Sequence, residues 1–204
     1  ALTVAARNGH TEIVGLLLAA PGVDVNHANQ YGNTALTLAI THSHMDVVRL
    51  LLAVEGVNVC QVNRNGSSAL SLVARRGLTE IVATLLAKGA EVNHPEVNHP
   101  DRHGDTALIV AAANGHTETV RFLLGADGIN VNVNAVDSDG DTALIVAARY
   151  GHTEIVGLLL NVHGINVNSV NRDGKTALIF AAQRGCRHIA RLLLAAGADA
   201  NLSN

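Results

Sequence analysis

Residues 139–160 read DGDTALIVAARYGHTEIVGLLL, and this stretch decides the fold. Thr142 stands before an Ala-rich run, ALIVAARY, that stops at Gly151, a residue able to take the left-handed backbone after a helix. The run predicts a short helix of about two turns. Glu154 falls in the first turn of the next segment, TEIVGLLL, where a negative charge suits the helix dipole. That second helix is apolar at Ile155, Val156, Leu158, Leu159 and Leu160, more than one face, so it must lie between neighbours.

The neighbours are copies of the same unit. GDTALIVAAANGHTETVRFLL occupies 104–124 and ALTVAARNGHTEIVGLLL opens the chain at 1–18. Internal repetition settles the architecture before any other feature. The Ala-Leu pairs beginning at Ala1, Ala35, Ala69, Ala107, Ala143 and Ala177 are spaced 34, 34, 38, 36 and 34 residues apart. The longest interval contains EVNHP twice in tandem, at 91–95 and 96–100, and the 36-residue interval carries an extra Val-Asn in NVNVN at 130–134. Without one EVNHP copy the first shrinks to 33, and without the Val-Asn pair and one further residue of the loop ahead of it the second does too, so length variation is confined to one loop. Segments such as GINVN and NRDG carry the chain to the next copy as turn and extended residues. No unit can hide its own apolar surface, so the copies stack.

Composition agrees. Hydrophobic residues make up 48% of the 204, yet aromatics are 2% and Trp is absent, so the core is built from Ala, Val, Ile and Leu, which favours close-packed helices. A net charge of −3 argues against general binding to nucleic acid or a membrane surface. The two cysteines, Cys60 and Cys186, lack metal-ligand spacing and are expected as free thiols in a reducing, cytoplasmic setting. No apolar run is long enough to cross a bilayer as a helix.

The unit D-G-x-T-A-L-x-x-A-A-x-x-G-H-T-E-I-V-x-L-L-L-x-x-x-G-x-[DN]-V-N resembles the ankyrin repeat, in six in-phase copies across essentially the whole chain. The resemblance implies an all-α solenoid of stacked helix-turn-helix units with protruding β-hairpin loops. The units run at about 1–30, 31–64, 65–102, 103–138, 139–172 and 173–204, forming one domain over 1–204. The opening unit reads as an interior one, so the chain is expected to be a fragment of a longer protein. Departures from the pattern are local: Ala replaces Pro in the T-P-L-H slot at Ala35, Ala107, Ala143 and Ala177. Ser43 replaces the Gly between helices in the second unit, and Val73 and Leu78 replace Ala and His in the third.

Chemistry is sparse. His10, His44, His116 and His152 share one slot after the inter-helix Gly or Ser, which points to a structural role. His94, His99 and His103 cluster in a tract of the kind that holds zinc, yet a duplicated loop pentapeptide explains them, and neither a metal nor a cofactor is expected. No G-x-S-x-G elbow, phosphate loop or HExxH appears, and catalysis is not expected.

What remains is surface. The family resemblance implies that residues flanking the hairpin Gly and at the end of each first helix line a concave side. Partner binding is accordingly expected at Arg7, Tyr31, His42, Arg64, Arg75, Arg76, Arg102, Asn114, Arg149, Tyr150, Arg172 and Arg184. The broader set of such positions adds Lys175 and the acids Asp105, Asp139, Asp141 and Asp173, and carries a net +5, which leaves −8 for the rest of the chain. Such a face suits an acidic or phosphorylated segment of a partner protein, since guanidinium binds carboxylate and phosphate in bidentate fashion. The bland alternative is that Arg7, Arg76, Arg149 and Arg184 complement the dipoles of the helices they end. The resemblance also implies candidate asparagine hydroxylation at Asn26, Asn93, Asn132, Asn168 and Asn201, with Cys60 replacing the residue in the second unit. Ordinary turn chemistry explains the same asparagines and is preferred. The expectation is a monomeric, non-catalytic module for protein recognition. The alternative is a regulatory or targeting segment of a larger enzyme, channel or bacterial effector.

Overall fold

The computed structural model describes residues 1–93, 105–125 and 130–202. Among them the chain forms twelve helices in six antiparallel pairs. First helices are α1 (Leu2–Arg7), α3 (Ala35–Thr41), α5 (Ala69–Ala74), α7 (Ala107–Ala113), α9 (Ala143–Tyr150) and α11 (Ala177–Gln183). Second helices are α2 (Thr11–Ala19), α4 (Met45–Ala53), α6 (Thr79–Ala87), α8 (Thr117–Gly125), α10 (Thr153–Leu160) and α12 (Arg187–Ala195).

The residue before each T-A-L alanine starts the helix. Thr34, Ser68, Thr106, Thr142 and Thr176 accept a hydrogen bond from the backbone N–H three residues on, at 3.1–3.3 Å. Each bond satisfies one of the otherwise orphaned donors of the first turn. Second helices begin instead with an acid in the first turn, Glu12, Asp46, Glu80, Glu118 or Glu154, except α12, which has none.

First helices pack on first helices and second on second, which buries the repeated alanines and leucines completely: Ala39, Ala74, Ala112 and Ala148 are fully inaccessible. Small residues there let the inner layer close up. Packing is closer at the joints of pairs 1/2, 4/5 and 5/6 than on either side of the third pair. At the opening end Val4 and Leu16 are 60% and 74% exposed, whereas the Val4 equivalents Leu38, Leu72, Val110, Val146 and Phe180 are covered by the preceding pair. Among the described residues no helix is long and apolar enough to cross a membrane.

Two hydrogen-bonded ladders tie successive pairs together. In the first, the histidines of the repeated slot reach back one pair. Nε2 of His44, His116 and His152 lies 3.0, 2.8 and 3.1 Å from the carbonyl oxygens of Arg7, Arg75 and Ala113, so each ring donates through Nε2–H. Leu78 leaves the equivalent carbonyl, Thr41, without a histidine, and Nη2 of Arg76 donates to it at 2.6 Å instead. At the 5/6 joint the slot holds Cys186.

In the second ladder, Asn26, Asn93 and Asn168 donate through Nδ2 to the next loop at Gly56, Asn130 and Gly197, while their Oδ1 accepts the N–H of Asn58, Asn132 and Asp199. Cys60 replaces asparagine with an Sγ contact to the Gly89 carbonyl. The rung between pairs 4 and 5 is made by Asn134, which donates to the Gly164 carbonyl and accepts from Asn166 N–H. The expected placement of Asn132 in this series is therefore corrected: Asn132 is the residue two before the rung, equivalent to Asp24, Asn58 and Asn166. The doubled Val-Asn allows either register in sequence, and only the inter-loop bonds choose one. Asn201 closes on Asp199, donating to its Oδ1 through the backbone N–H at 2.8 Å and through Nδ2 at 3.1 Å.

Candidate functional site

The hairpin tips are built on a buried or half-buried Asx residue. Oδ1 of Asn29, Asn63, Asp137 and Asn171 each accepts two backbone N–H groups, from residues two and four positions on. Neighbouring tips join through Arg64 N–H to the Tyr31 carbonyl and Arg172 N–H to the Asp139 carbonyl, both 2.9 Å. This rigid edge sets the side chains that flank it.

Of the residues expected on the concave side, Arg7, His42, Arg64, Asn114, Arg172 and Arg184 are exposed, and Tyr31 and Tyr150 are 59% and 51% exposed. His42 stacks on His44, and Asn114 turns its amide back to the Val110 carbonyl at 2.8 Å. Arg102, like His94, His99 and His103, lies outside the described residues.

Three of the arginines are engaged within the chain. Arg76 holds the Thr41 carbonyl. Arg75 lies 3.9 Å from Asp105 on the tip of the next pair. Arg149 grips Asp141, with its own side chain only 24% exposed and that of Asp141 fully buried. The expectation of Asp141 as an exposed acid is thus corrected. Asp141 is enclosed because Asn171 of the next tip donates to its Oδ1 at 2.8 Å while Arg149 covers Oδ2. Burial pushes the Asp141 carboxyl above the ordinary value of 3.8, opposed by the Asn171 hydrogen bond and the Arg149 charge and helped by the charges of Asp137 and Asp139.

Asp137, Asp139 and Asp141 bring carboxylate oxygens within 4.8 Å of one another. Asp141 Oδ1 accepts from Asn171 and Oδ2 is ion-paired with Arg149, while Asp137 Oδ1 accepts two backbone N–H groups, so the trio serves as tip architecture.

Sequence reasoning overlooked Phe180. It fills a slot held by Val or Leu in the other five pairs, and two cations converge on its ring: Arg149 Cζ 4.3 Å and Lys175 Nζ 5.4 Å from the centroid. Arg184 Cζ stands 6.0 Å from the Tyr150 ring beside it. The departure from an aliphatic slot was the available signal. Among the described residues Arg7, Arg64, Arg172, Lys175 and Arg184 make no ion pair.

The family described as ankyrin repeats (3 copies) matches residues 1–63, 52–135 and 128–204. An ankyrin repeat domain from Acinetobacter baumannii is 34% identical, with a TM-score of 0.82 over 97% of this chain and 98% of that one. The ankyrin repeat domain of Bcl-3, a member of the IkappaB protein family, is 31% identical, with a TM-score of 0.76 over 100% of this chain and 88% of that one. A chain from the complex of a predatory endopeptidase of Bdellovibrio bacteriovorus with an immunity protein is 28% identical, with a TM-score of 0.79 over 96% of this chain and 97% of that one. No curated protein sequence matches.

Proposed function

The chain belongs to the ankyrin-repeat family, and from that premise we propose that it is a monomeric, non-catalytic module that binds an acidic segment of a partner protein through its concave face and hairpin tips. Ankyrin repeats serve generally as protein-interaction modules, and one of the similar structures comes from a complex of two proteins. The observation that carries the acidic preference is the set of cations that make no ion pair among the described residues, Arg7, Arg64, Arg172, Lys175 and Arg184, in a chain of net charge −3 that also exposes Tyr31 and Tyr150, with Arg184 6.0 Å from the Tyr150 ring. Exposed aromatics flanked by arginine are the common anchors of protein interfaces.

Arg75, Arg76 and Arg149 contribute through the scaffold, and their replacement would strike stability as well as binding. The test is capture from cytosolic extract by the wild type beside two charge-reversed variants. R7E/R64E/R184E is expected to lose the proteins that the wild type retains, and moderate salt to release them. R49E/R121E/R191E, altered on the second helices, is expected to keep them. Equal retention by the first variant refutes the concave reading.

A further inference from the structure

The six pairs meet at five joints, and the two ladders do not tie them equally. Pairs 1 and 2 are held by His44 on the Arg7 carbonyl and by Asn26 on the second loop. Pairs 3 and 4 are held by His116 on the Arg75 carbonyl, by Asn93 on the fourth loop, and by the Thr79 and Thr119 hydroxyls 2.9 Å apart. Pairs 4 and 5 keep His152 and Asn134. At the 5/6 joint Cys186 fills the histidine slot, but Asn168 keeps its rung and Asn171 donates to Asp141 of the neighbouring tip.

The 2/3 joint is the one at which both ladders change, with Leu78 in place of histidine and Cys60 in place of asparagine. Instead of an imidazole seated on glycine, the long side chain of Arg76 meets the Thr41 carbonyl, and ordering it costs conformational entropy. Instead of an amide that both donates and accepts, Cys60 offers a thiol, a weak donor, 3.2 Å from the Gly89 carbonyl. Helix packing follows the same order. α4 and α6 approach each other less than any other two successive second helices, and α3 and α5 pack less closely than the first helices of the 1/2, 4/5 and 5/6 joints. Further cross-joint bonds are made at the tips, where Arg64 N–H meets the Tyr31 carbonyl and Asn63 Nδ2 donates to Asn33 Oδ1, both at 2.9 Å. Arg49 and Glu80 also pair across the joint at 3.8 Å, but both are exposed, and such a pair adds little.

We propose that the 2/3 joint is a seam at which the array opens in the native state, pairs 1 and 2 unfolding together as one block while pairs 3–6 stay folded. In a stacked array each pair is stabilised by its neighbours, so the weakest coupling decides where the stack divides. Blocks of this kind open without unfolding the whole chain. The smaller block is the one that unfolds: a continuous core takes at least about three repeats, which four pairs supply and two do not. Arg7 and Tyr31 belong to the first block, Tyr150 and Arg184 to the second, so these exposed side chains are presented together only while the seam is closed. A partner that touches both blocks binds only the closed array and stabilises the seam.

The test is native-state hydrogen exchange of the full chain, read amide by amide by NMR at increasing urea below the unfolding transition. In the wild type the amides of α1–α4 should share one opening, with a single urea slope smaller than that of α5–α12 because less surface is exposed. They should exchange through it at least about tenfold more often than α5–α12, equivalent to about 1.4 kcal/mol. S43G/C60N/L78H gives the seam the residues of the 1/2 joint, Gly9, Asn26 and His44. None of the three substitutions lies in pair 1, yet exchange in α1 and α2 should slow by the same factor as in α3 and α4, about tenfold. R76A should speed all four helices by a common factor of about tenfold, the loss of one charged hydrogen bond across the seam. Exchange in α1 and α2 that ignores both variants means that pair 1 frays alone, and overturns the seam. So does a stepwise fall in protection from pair 3 to pair 1, a boundary at another joint, or one slope common to all the helices.

Discussion

Between the fourth and fifth pairs, His152 reaches back 3.1 Å to the Ala113 carbonyl and lies against Gly115; between the second and third, Leu78 cannot reach, and Arg76 meets the equivalent Thr41 carbonyl from the other side. The two joints differ at a third position as well. A Cβ placed on Gly9, Gly77 or Gly115 would lie 2.5–2.7 Å from the ring of His44, His116 or His152. In the pair that precedes Leu78, the same position is Ser43, held at φ 62, the only described non-glycine residue with positive φ. At these joints glycine accompanies histidine and serine accompanies leucine and the borrowed arginine, whereas at the 5/6 joint a Cβ on Gly151 would meet only Cys186 Sγ, at 3.8 Å. At the 2/3 joint the missing histidine leaves room for Ser43 one pair earlier, and its hydrogen bond passes to Arg76.

The sharpest way to break this comparison is a methyl group at the glycine. G115A combines left-handed strain with a collision against His152, and should cost about 2–3 kcal/mol from the backbone term and the lost hydrogen bond. G185A has the same positive φ but nothing within 4 Å, and should cost only the backbone term, about 1–2 kcal/mol. Urea midpoints of the two variants measure the difference. Equal losses would mean that the histidine ring does not select glycine.

Next in size is the swap of one joint chemistry for the other. L78H alone should destabilise, because Ser43 occupies the space the ring needs, whereas S43G/L78H should accept it, with a coupling of about 1–3 kcal/mol in the double-mutant cycle. R76A should cost about 1–2 kcal/mol in the wild type, the value of a charged hydrogen bond, and almost nothing in the S43G/L78H background, where the introduced imidazole takes over the Thr41 carbonyl. A loss of the same size in both backgrounds would separate Arg76 from the joint.

The repeat, the helical pairs and the threonine caps were legible in the sequence because each is set by residues within one unit. The histidine slot was legible as structural, but its acceptor was not, since the bonded carbonyls lie 37, 41 and 39 residues away. Distance along the chain also explains the misplaced rung at Asn132 and the hidden Asp141, whose enclosure depends on Asn171 in the following tip. The arginines at the first-helix ends and hairpin tips could be listed from the sequence. Their division into engaged and unpaired groups was not, because charge patterning does not reveal which acid or carbonyl each one meets.

The smallest expected effect sharpens the contrast between the two arginine–carboxylate pairs. Arg75 and Asp105 are partly exposed at 3.9 Å, while Asp141 is fully enclosed beneath Arg149. Because burial raises the folded-state pKa of Asp141 above 3.8, the native state holds its proton at a pH where the unfolded chain has released it. The native state then binds more protons than the unfolded one, so this carboxyl makes stability rise as pH falls from its raised pKa toward 3.8, the reverse of an ordinary salt-bridged acid. D141N keeps an acceptor for Asn171 and removes the titration, so its stability offset lacks that slope. The gap between wild type and D141N in denaturant midpoint should therefore shift in favour of the wild type as pH is lowered from neutral toward about 4, the region of the ordinary carboxylate pKa. A shift in the opposite direction would show that Arg149 outweighs desolvation, and that the enclosed pair is held by charge attraction in spite of its burial.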